Sequence, residues 1–129
     1  MPLRIYLAVL LAALPVPGFA HMILNGPHGG EVEDGNPGPN LHIETVVKGS
    51  TVTVYLSDWN EKAISASGVT GKIVVLANEK KDYFSLAPSG ANSLTGQGNF
   101  TAGPDMKALV TLTISGQEQK ALFSALHPQ

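Results

Sequence analysis

The stretch LHIETVVKGSTVTVYL, residues 41–56, carries the clearest structural pattern in the chain. Apolar and polar side chains alternate over positions 41–48, a Gly-Ser pair interrupts the pattern, and the alternation resumes at position 51. Alternation with a period of two is typical of a strand that buries one face, and the Gly-Ser break is typical of a turn. The stretch therefore predicts two strands, with Ile43 and Val47 towards the core and His42 and Glu44 on the opposite face.

Five further runs of β-forming residues follow, separated by turn formers, and we expect the run after position 82 to end at Pro88-Ser89-Gly90. Some seven short strands at regular spacing predict an all-β fold, an antiparallel β-sandwich of immunoglobulin-like size. The chain has no Cys, so this is the disulfide-free kind. The five runs cover residues 72–77, 82–86, 92–100, 107–114 and 119–126.

The first 20 residues differ from the rest of the chain. A short positive start with Arg4 precedes an apolar run over residues 5–14, and small residues at Gly18 and Ala20 follow. This layout of a charged start, a short apolar run and small residues predicts a signal peptide cleaved after Ala20. A membrane anchor is disfavoured, because the apolar run is too short to span about 30 Å of hydrocarbon as a helix. We expect a periplasmic mature chain without a membrane anchor, made of one β-sandwich domain, residues 21–129, that starts with a Gly/Pro/His-rich segment, residues 21–40.

Composition narrows the function. The 129 residues include 8 Lys+Arg and 10 Asp+Glu, with a formal net charge of -2 and no basic cluster, which argues against a nucleic-acid surface. The absence of Cys excludes disulfides, thiolate metal sites and a cysteine nucleophile. The serines show no nucleophile elbow, and no Gly-rich loop before a helix is present to hold phosphate. We therefore predict a protein that is not an enzyme.

Histidines concentrate near the start of the mature chain, in a region rich in turn formers. His28 lies in Gly26-Pro27-His28-Gly29-Gly30, and His42 and Glu44 are two residues apart on a strand. Side chains at this spacing lie about 6.6 Å apart on one face of a strand. Imidazole nitrogen and carboxylate oxygen suit Cu(II), or as second choice Zn(II). The pattern predicts a metal site formed by His28, His42 and Glu44, with Glu44 either a ligand or the acceptor of a histidine N–H.

His21 becomes the first residue of the mature chain if cleavage follows Ala20. Its α-amino group and imidazole Nδ1 could then chelate one ion together, forming half of a copper brace. The α-amine titrates near about 8, so a metal ion can displace its proton at neutral pH. We therefore add His21 to the predicted metal ligands. By contrast, His127 beside Pro128 is predicted to lie in a frayed tail, and Glu31, Glu33 and Asp34 in an exposed acidic turn.

The residues from Gly26 to Val32, the strand Leu41–Val46 and the run Thr53–Asp58 together resemble small exported proteins and modules associated with bacterial heavy-metal efflux. The resemblance extends from Gly26 to about Gly98, and His28, His42 and Glu44 match its His-Gly-Gly and His-x-Glu motifs. It implies a periplasmic role in binding copper or another heavy metal as a buffer, sensor or carrier. Periplasmic components of an efflux pump are the partners it implies.

Two alternatives stay open at this point. The chain could be a structural or interaction β-sandwich whose histidines are incidental. It could also be a copper-dependent oxidative enzyme that uses the His21 brace, although aromatic residues make up only 6% of the chain and such enzymes present an aromatic substrate face.

Overall fold

The computed structural model describes residues 24–38 and 40–129, which form strands joined by turns and loops. There is no helix within these residues, and hence none long and apolar enough to cross a membrane. The strands are β1 (Leu24–Asn25), β2 (Glu31–Asp34), β3 (His42–Lys48), β4 (Thr51–Ser57), β5 (Thr70–Ala77), β6 (Lys80–Gly90), β7 (Ser93–Gln97), β8 (Met106–Ile114) and β9 (Gln117–Leu126).

All neighbouring strands pair antiparallel, in the order β1-β2-β3-β4-β7-β6-β5-β8-β9. Strand β6 belongs to two sheets. Its first part, from Lys80 to Leu86, pairs with β5, and its last part, from Ala87 to Gly90, pairs with β7. We call β1-β2-β3-β4-β7 with the end of β6 the first sheet, and β6-β5-β8-β9 the second sheet.

The core is one cluster of buried side chains to which both sheets contribute. Residues of β3 and β4 such as Ile43, Val47 and Val54 are fully buried in it, and β5, β8 and β9 contribute further buried residues. Burial alternates strictly along β4, as a strand with one face on the core requires. The largest fully buried side chains are Phe123, Ile43, Leu56, Ile73, Leu94, Met106, Leu112 and Leu126.

Strand β9 and the tail after it contact the strands near the other end of the sheet order. The backbone N–H and C=O of Asn36, after β2, exchange 2.8 Å hydrogen bonds with Lys120 of β9. The backbone N–H of Gln129 donates to the carbonyl of Val47 at 2.8 Å. These contacts fix the C-terminal strand and tail against β2 and β3, where the candidate site lies.

The prediction of an antiparallel all-β fold is confirmed, and the described residues form nine strands rather than seven. The two additional strands, β1 and β2, lie in the Gly/Pro/His-rich segment, where four residues of β2 pair with β3. Strand β6 continues through Pro88 instead of ending there, because Pro88 lies opposite Leu94 beside a β-bulge. Proline is tolerated at such positions, where the ladder does not need its N–H.

The predictions for residues 1–20 and for His21 fall outside the described residues.

Candidate functional site

A cleft of about 460 Å³ lies on the outer face of the first sheet, at the ends of β3 and β4 and beside the turn between β1 and β2. Three of the predicted site residues line it, and half-buried Tyr55 from β4 lies among them. The lining residues are Asn25, Gly26, Pro27, His28, Val32, His42, Glu44, Tyr55, Leu56, Ser57, Glu61, Ala63 and Asn92.

The turn over residues 26–30 covers the outer face of β3. The N–H of Gly29 donates to the carbonyl of Gly26 at 2.9 Å, and the N–H of Gly26 donates to the carbonyl of Gly30 at 2.8 Å. Strand β2 follows directly and pairs with β3, so the turn comes to lie against Glu44. The face of β3 that was predicted to point away from the core is therefore covered by the N-terminal segment.

Glu44 is only 4% exposed, although it lies on the face of β3 that was predicted to point away from the core. Its carboxylate accepts three hydrogen bonds from the turn. Oε2 accepts from the backbone N–H groups of His28 and Gly30, each at 2.9 Å, and Oε1 lies 2.9 Å from Nδ1 of His28. A buried carboxylate requires such donors, because leaving it without partners in an apolar environment is costly.

Glycine at position 26 makes this close approach possible. A Cβ atom added there would lie 2.3 Å from Cδ of Glu44 and under 3 Å from both carboxylate oxygens. Those oxygens are held in place by the three hydrogen bonds, so they cannot move aside easily. Of the glycines in Gly-Pro-His-Gly-Gly, Gly26 is thus required by contact with the carboxylate.

The imidazole of His28 is held on two sides. Its Nδ1 faces Oε1 of Glu44, and its ring stacks on Tyr55 with ring centroids 3.6 Å apart and an interplanar angle of 5°. An ionised carboxylate only accepts hydrogen bonds, so a neutral His28 donates from Nδ1–H and its Nε2 carries the free lone pair. The side chain of His28 is 43% exposed, so the ring remains accessible from the cleft.

His42 approaches the cleft from the first position of β3. Its Nε2 lies 3.3 Å from Oδ1 of Asp34, the residue directly opposite on β2. The side chain of His42 is 23% exposed and that of Asp34 is 70% exposed, so this contact lies at the rim of the cleft. A contact of this length with an exposed carboxylate leaves the imidazole free to change partners.

The structure therefore brings His28, His42 and Glu44 to one cleft. Within residues 24–38 and 40–129, it does not assemble three or more His, Asp or Glu side chains closely enough to hold an ion. Glu44 faces His28 and the turn, and His42 faces Asp34.

Sequence reasoning missed Tyr55 as part of this site. Tyr55 lies directly opposite Glu44 in the β3–β4 pair, and cross-strand partners share one face of the sheet. The alternation along β4 also places Tyr55 on the outer face, so pairing the two strands across Gly49-Ser50 would have been sufficient to find it.

A second carboxylate–histidine pair lies on the other face of β2 and corrects two expectations. Glu31 is 6% exposed rather than part of an exposed acidic turn, and its Oε2 lies 2.6 Å from Nδ1 of His127. The C-terminal tail is fixed rather than frayed, because the side chain of Gln129 also donates to the carbonyl of Gly29 at 2.8 Å.

The pKa of Glu33, the next residue along this face of β2, lies above its ordinary value. Burial of the carboxyl raises the pKa first, and the neighbouring charge of Asp34 raises it further. Both effects penalise the charged form of Glu33 in the folded protein.

Comparison of the chain with protein-family models, with curated proteins and with solved structures finds no match.

Proposed function

We propose that this protein is exported and binds a divalent metal ion, Cu²⁺ by preference and Zn²⁺ as second choice, through His28 and His42 in the cleft. It would act as a periplasmic buffer, sensor or carrier near a metal-efflux system rather than as an enzyme. In this proposal residues 1–20 are a cleaved signal peptide and the mature domain is an immunoglobulin-like sandwich. The observation that carries the proposal is the hydrogen bond from Nδ1 of His28 to the buried carboxylate of Glu44.

This arrangement supports metal binding for a chemical reason. Histidine ligands in metal sites commonly donate their second ring N–H to a carboxylate, which orients the ring and makes the ligating nitrogen more basic. Glu44 and Tyr55 hold the ring of His28 in one orientation, with Nε2 as the nitrogen available to a ligand. A merely solvated histidine requires neither contact.

Glu44 acts here by positioning His28 rather than as a metal ligand. Both of its oxygens accept hydrogen bonds, Oε1 from His28 and Oε2 from two backbone N–H groups, and the residue is buried under the turn. His42 supplies the second imidazole from the same cleft. Two ligands hold an ion weakly. The proposal therefore also includes the imidazole of His21 and its α-amine, which cleavage after Ala20 would create. Three Cα–Cα steps of about 3.8 Å separate His21 from Leu24.

The first test is isothermal titration of Cu²⁺ into the exported, untagged protein after N-terminal sequencing. We expect one site of submicromolar affinity, abolished in His42→Ala and in His28→Ala. Heats equal to those of buffer would contradict the proposal and favour a structural or interaction sandwich. Turnover with a reductant and peroxide would favour the copper-dependent oxidative enzyme.

The sharpest variant is Glu44→Gln. The amide oxygen can still accept from the backbone N–H groups of His28 and Gly30, while the amide NH₂ now donates to Nδ1 of His28. The ring then carries its proton on Nε2, the nitrogen that the metal needs. We expect a folded protein with weaker Cu²⁺ binding, and unchanged binding in the matched variant Glu61→Gln at the cleft wall. Unchanged Cu²⁺ affinity in Glu44→Gln would contradict the proposal that Glu44 positions His28.

Protons should compete with the metal, because neutral imidazoles and a free amine are required. We expect Cu²⁺ affinity to be about tenfold weaker at pH 5.5 than at pH 7.5, and weaker again after acetylation of the N-terminus. A Cu²⁺ affinity that does not change between these pH values would indicate that the histidines do not bind the ion. If the affinity falls steeply with pH but does not respond to acetylation, His28 and His42 remain proposed ligands and His21 does not.

A further inference from the structure

The outer face of the second sheet carries an apolar row that crosses all four of its strands. Val74 of β5 lies directly opposite Tyr83 of β6 and Leu109 of β8, and Leu109 lies opposite Leu122 of β9. Tyr83 is 68% exposed and Leu122 is 63% exposed. We call the row formed by Tyr83, Val74, Leu109 and Leu122 the apolar stripe.

Lysines flank the apolar stripe on both sides. One neighbouring row consists of Ser85, Lys72, Thr111 and Lys120, and the other contains Lys81, Leu76 and Lys107. These two rows and the stripe contain no Asp or Glu, although the whole chain carries a formal net charge of -2. Glu118 lies beyond the first row, with Oε1 3.8 Å from Nζ of Lys120. The stripe is therefore apolar in the middle and positive along both edges.

The dimensions of this surface fit one helix. Four strands about 4.8 Å apart make the stripe about 14 Å long. The two lysine rows lie two residues before and after the stripe along each strand, so their backbones are about 13 Å from one another. An α-helix with its side chains is about 10–12 Å across and rises 1.5 Å per residue, so about ten residues would follow the stripe between the lysine rows.

Charge and size disfavour the other occupants. A second copy packed face to face would bring two sets of lysines together, which repel each other. An anionic membrane would gain little apolar contact, since the stripe is only one row of side chains wide. An apolar ridge with acidic residues on both flanks satisfies the stripe and both lysine rows at once.

We propose that the apolar stripe docks an acidic amphipathic helix of a partner protein. The helix places its apolar residues, spaced three and four apart, along Tyr83, Val74, Leu109 and Leu122. Its Asp and Glu residues lie on both flanks, opposite Lys72 and Lys120 on one side and Lys81 and Lys107 on the other. This surface is on the second sheet and is independent of the metal site proposed on the first sheet.

The test uses a synthetic helical peptide of 14 residues with a Leu ridge and Glu on both flanks, titrated into isotopically labelled protein. We expect saturable binding, with amide shifts confined to β5, β6, β8 and β9. The double variant Lys72→Glu/Lys107→Glu should weaken binding about tenfold, and Tyr83→Ser/Leu122→Ser should weaken it as well. Lys48→Glu/Lys62→Glu is the matched control, since it makes the same change of net charge elsewhere.

Each other outcome overturns the proposal. Equal weakening by the control variant means that only the overall charge matters. Equal binding of a peptide with Lys in place of Glu removes the role of the lysine rows. Absence of binding to the peptide, together with stripe-dependent binding to vesicles of anionic phospholipid, identifies a membrane surface instead. Failure of the helix-docking proposal would not change the results expected in the copper titrations.

Discussion

Glu44 and Glu31 are both buried acids near the start of the first sheet, and each faces one histidine, but their surroundings differ. Glu44 accepts three hydrogen bonds, two from backbone N–H groups of the turn over residues 26–30. Glu31 faces only His127, whose side chain is 69% exposed, and its Oε1 is buried without a hydrogen-bond partner among the described residues. The carboxylate of Glu44 is thus held by the backbone of the adjacent turn. The carboxylate of Glu31 instead connects the N-terminal segment to the C-terminal tail.

The difference indicates how each pair can serve function. The position of Glu44 is fixed by the backbone, so it can orient the ring of His28 without depending on that ring for its own partners. Glu31 depends on one exposed side chain, so its contact can be lost without disturbing the turn. A positioned histidine requires the first kind of arrangement.

The largest effect is expected for Glu44→Ala. Removing the carboxylate leaves the backbone N–H groups of His28 and Gly30 without acceptors and opens space under the turn. We expect a loss of about 2–4 kcal/mol in the free energy of unfolding, measured by urea denaturation. The exposed Glu118→Ala should change stability by less than about 0.5 kcal/mol. Equal losses in the two variants would contradict the structural role of Glu44.

Gly26→Ala tests the same arrangement from the side of the turn. The new methyl group would lie 2.3 Å from Cδ of Glu44, so the turn and the carboxylate cannot both keep their positions. We expect a loss of about 1–3 kcal/mol in thermal or urea unfolding. Gly103→Ala is the control, because its Cβ would meet only Oδ1 of Asn78 at 3.7 Å. A stable Gly26→Ala variant would show that the turn does not lie against Glu44.

A smaller loss is expected for His127→Ala, which removes the hydrogen-bond donor of Glu31. We expect about 1 kcal/mol by urea denaturation, because the histidine is mostly exposed and one contact is lost. His127→Gln should recover part of this loss, since its amide can still donate. A loss as large as that of Glu44→Ala would mean that the two pairs are equivalent.

The smallest effect is expected for Glu33→Gln, and it depends on pH. The pKa of Glu33 is raised above its ordinary value of 4.5, because burial and the charge of Asp34 penalise the charged carboxyl only in the folded state. The variant should therefore unfold at a slightly higher temperature at pH 7. The gain should shrink as pH falls through the raised pKa and vanish below the ordinary value, where both states are protonated.

Glu118→Gln removes the same charge from an exposed side chain and corrects for net charge. A Glu33→Gln variant that is less stable at pH 7 than the unaltered protein would show that the carboxylate gains from folding, with the sign opposite to that expected.

Much of the fold could be predicted from the sequence because strands such as β4 and β9 bury one face and leave the other more exposed. The run beginning at Thr51 alternates so regularly that its core face agrees with the structure and its bounds agree to within one residue. The bounds of the run ending at Ile114 also agree to within one residue. Strand β2 could not be found in this way. Its four residues, Glu31–Asp34, are mostly acidic, and only pairing with β3 makes them a strand.

The sequence by itself determined the antiparallel β-architecture, the core positions of β3 and β4, and the presence of His28, His42 and Glu44 near one another along the chain. Only the tertiary structure decided that Glu44 is buried, that Tyr55 stacks on His28, and that His127 returns from the far end of the chain to Glu31. Periodicity shows which face of a strand meets the core. It does not show what covers the other face, because that depends on contacts between residues distant in the chain, such as the 96 positions that separate Glu31 from His127.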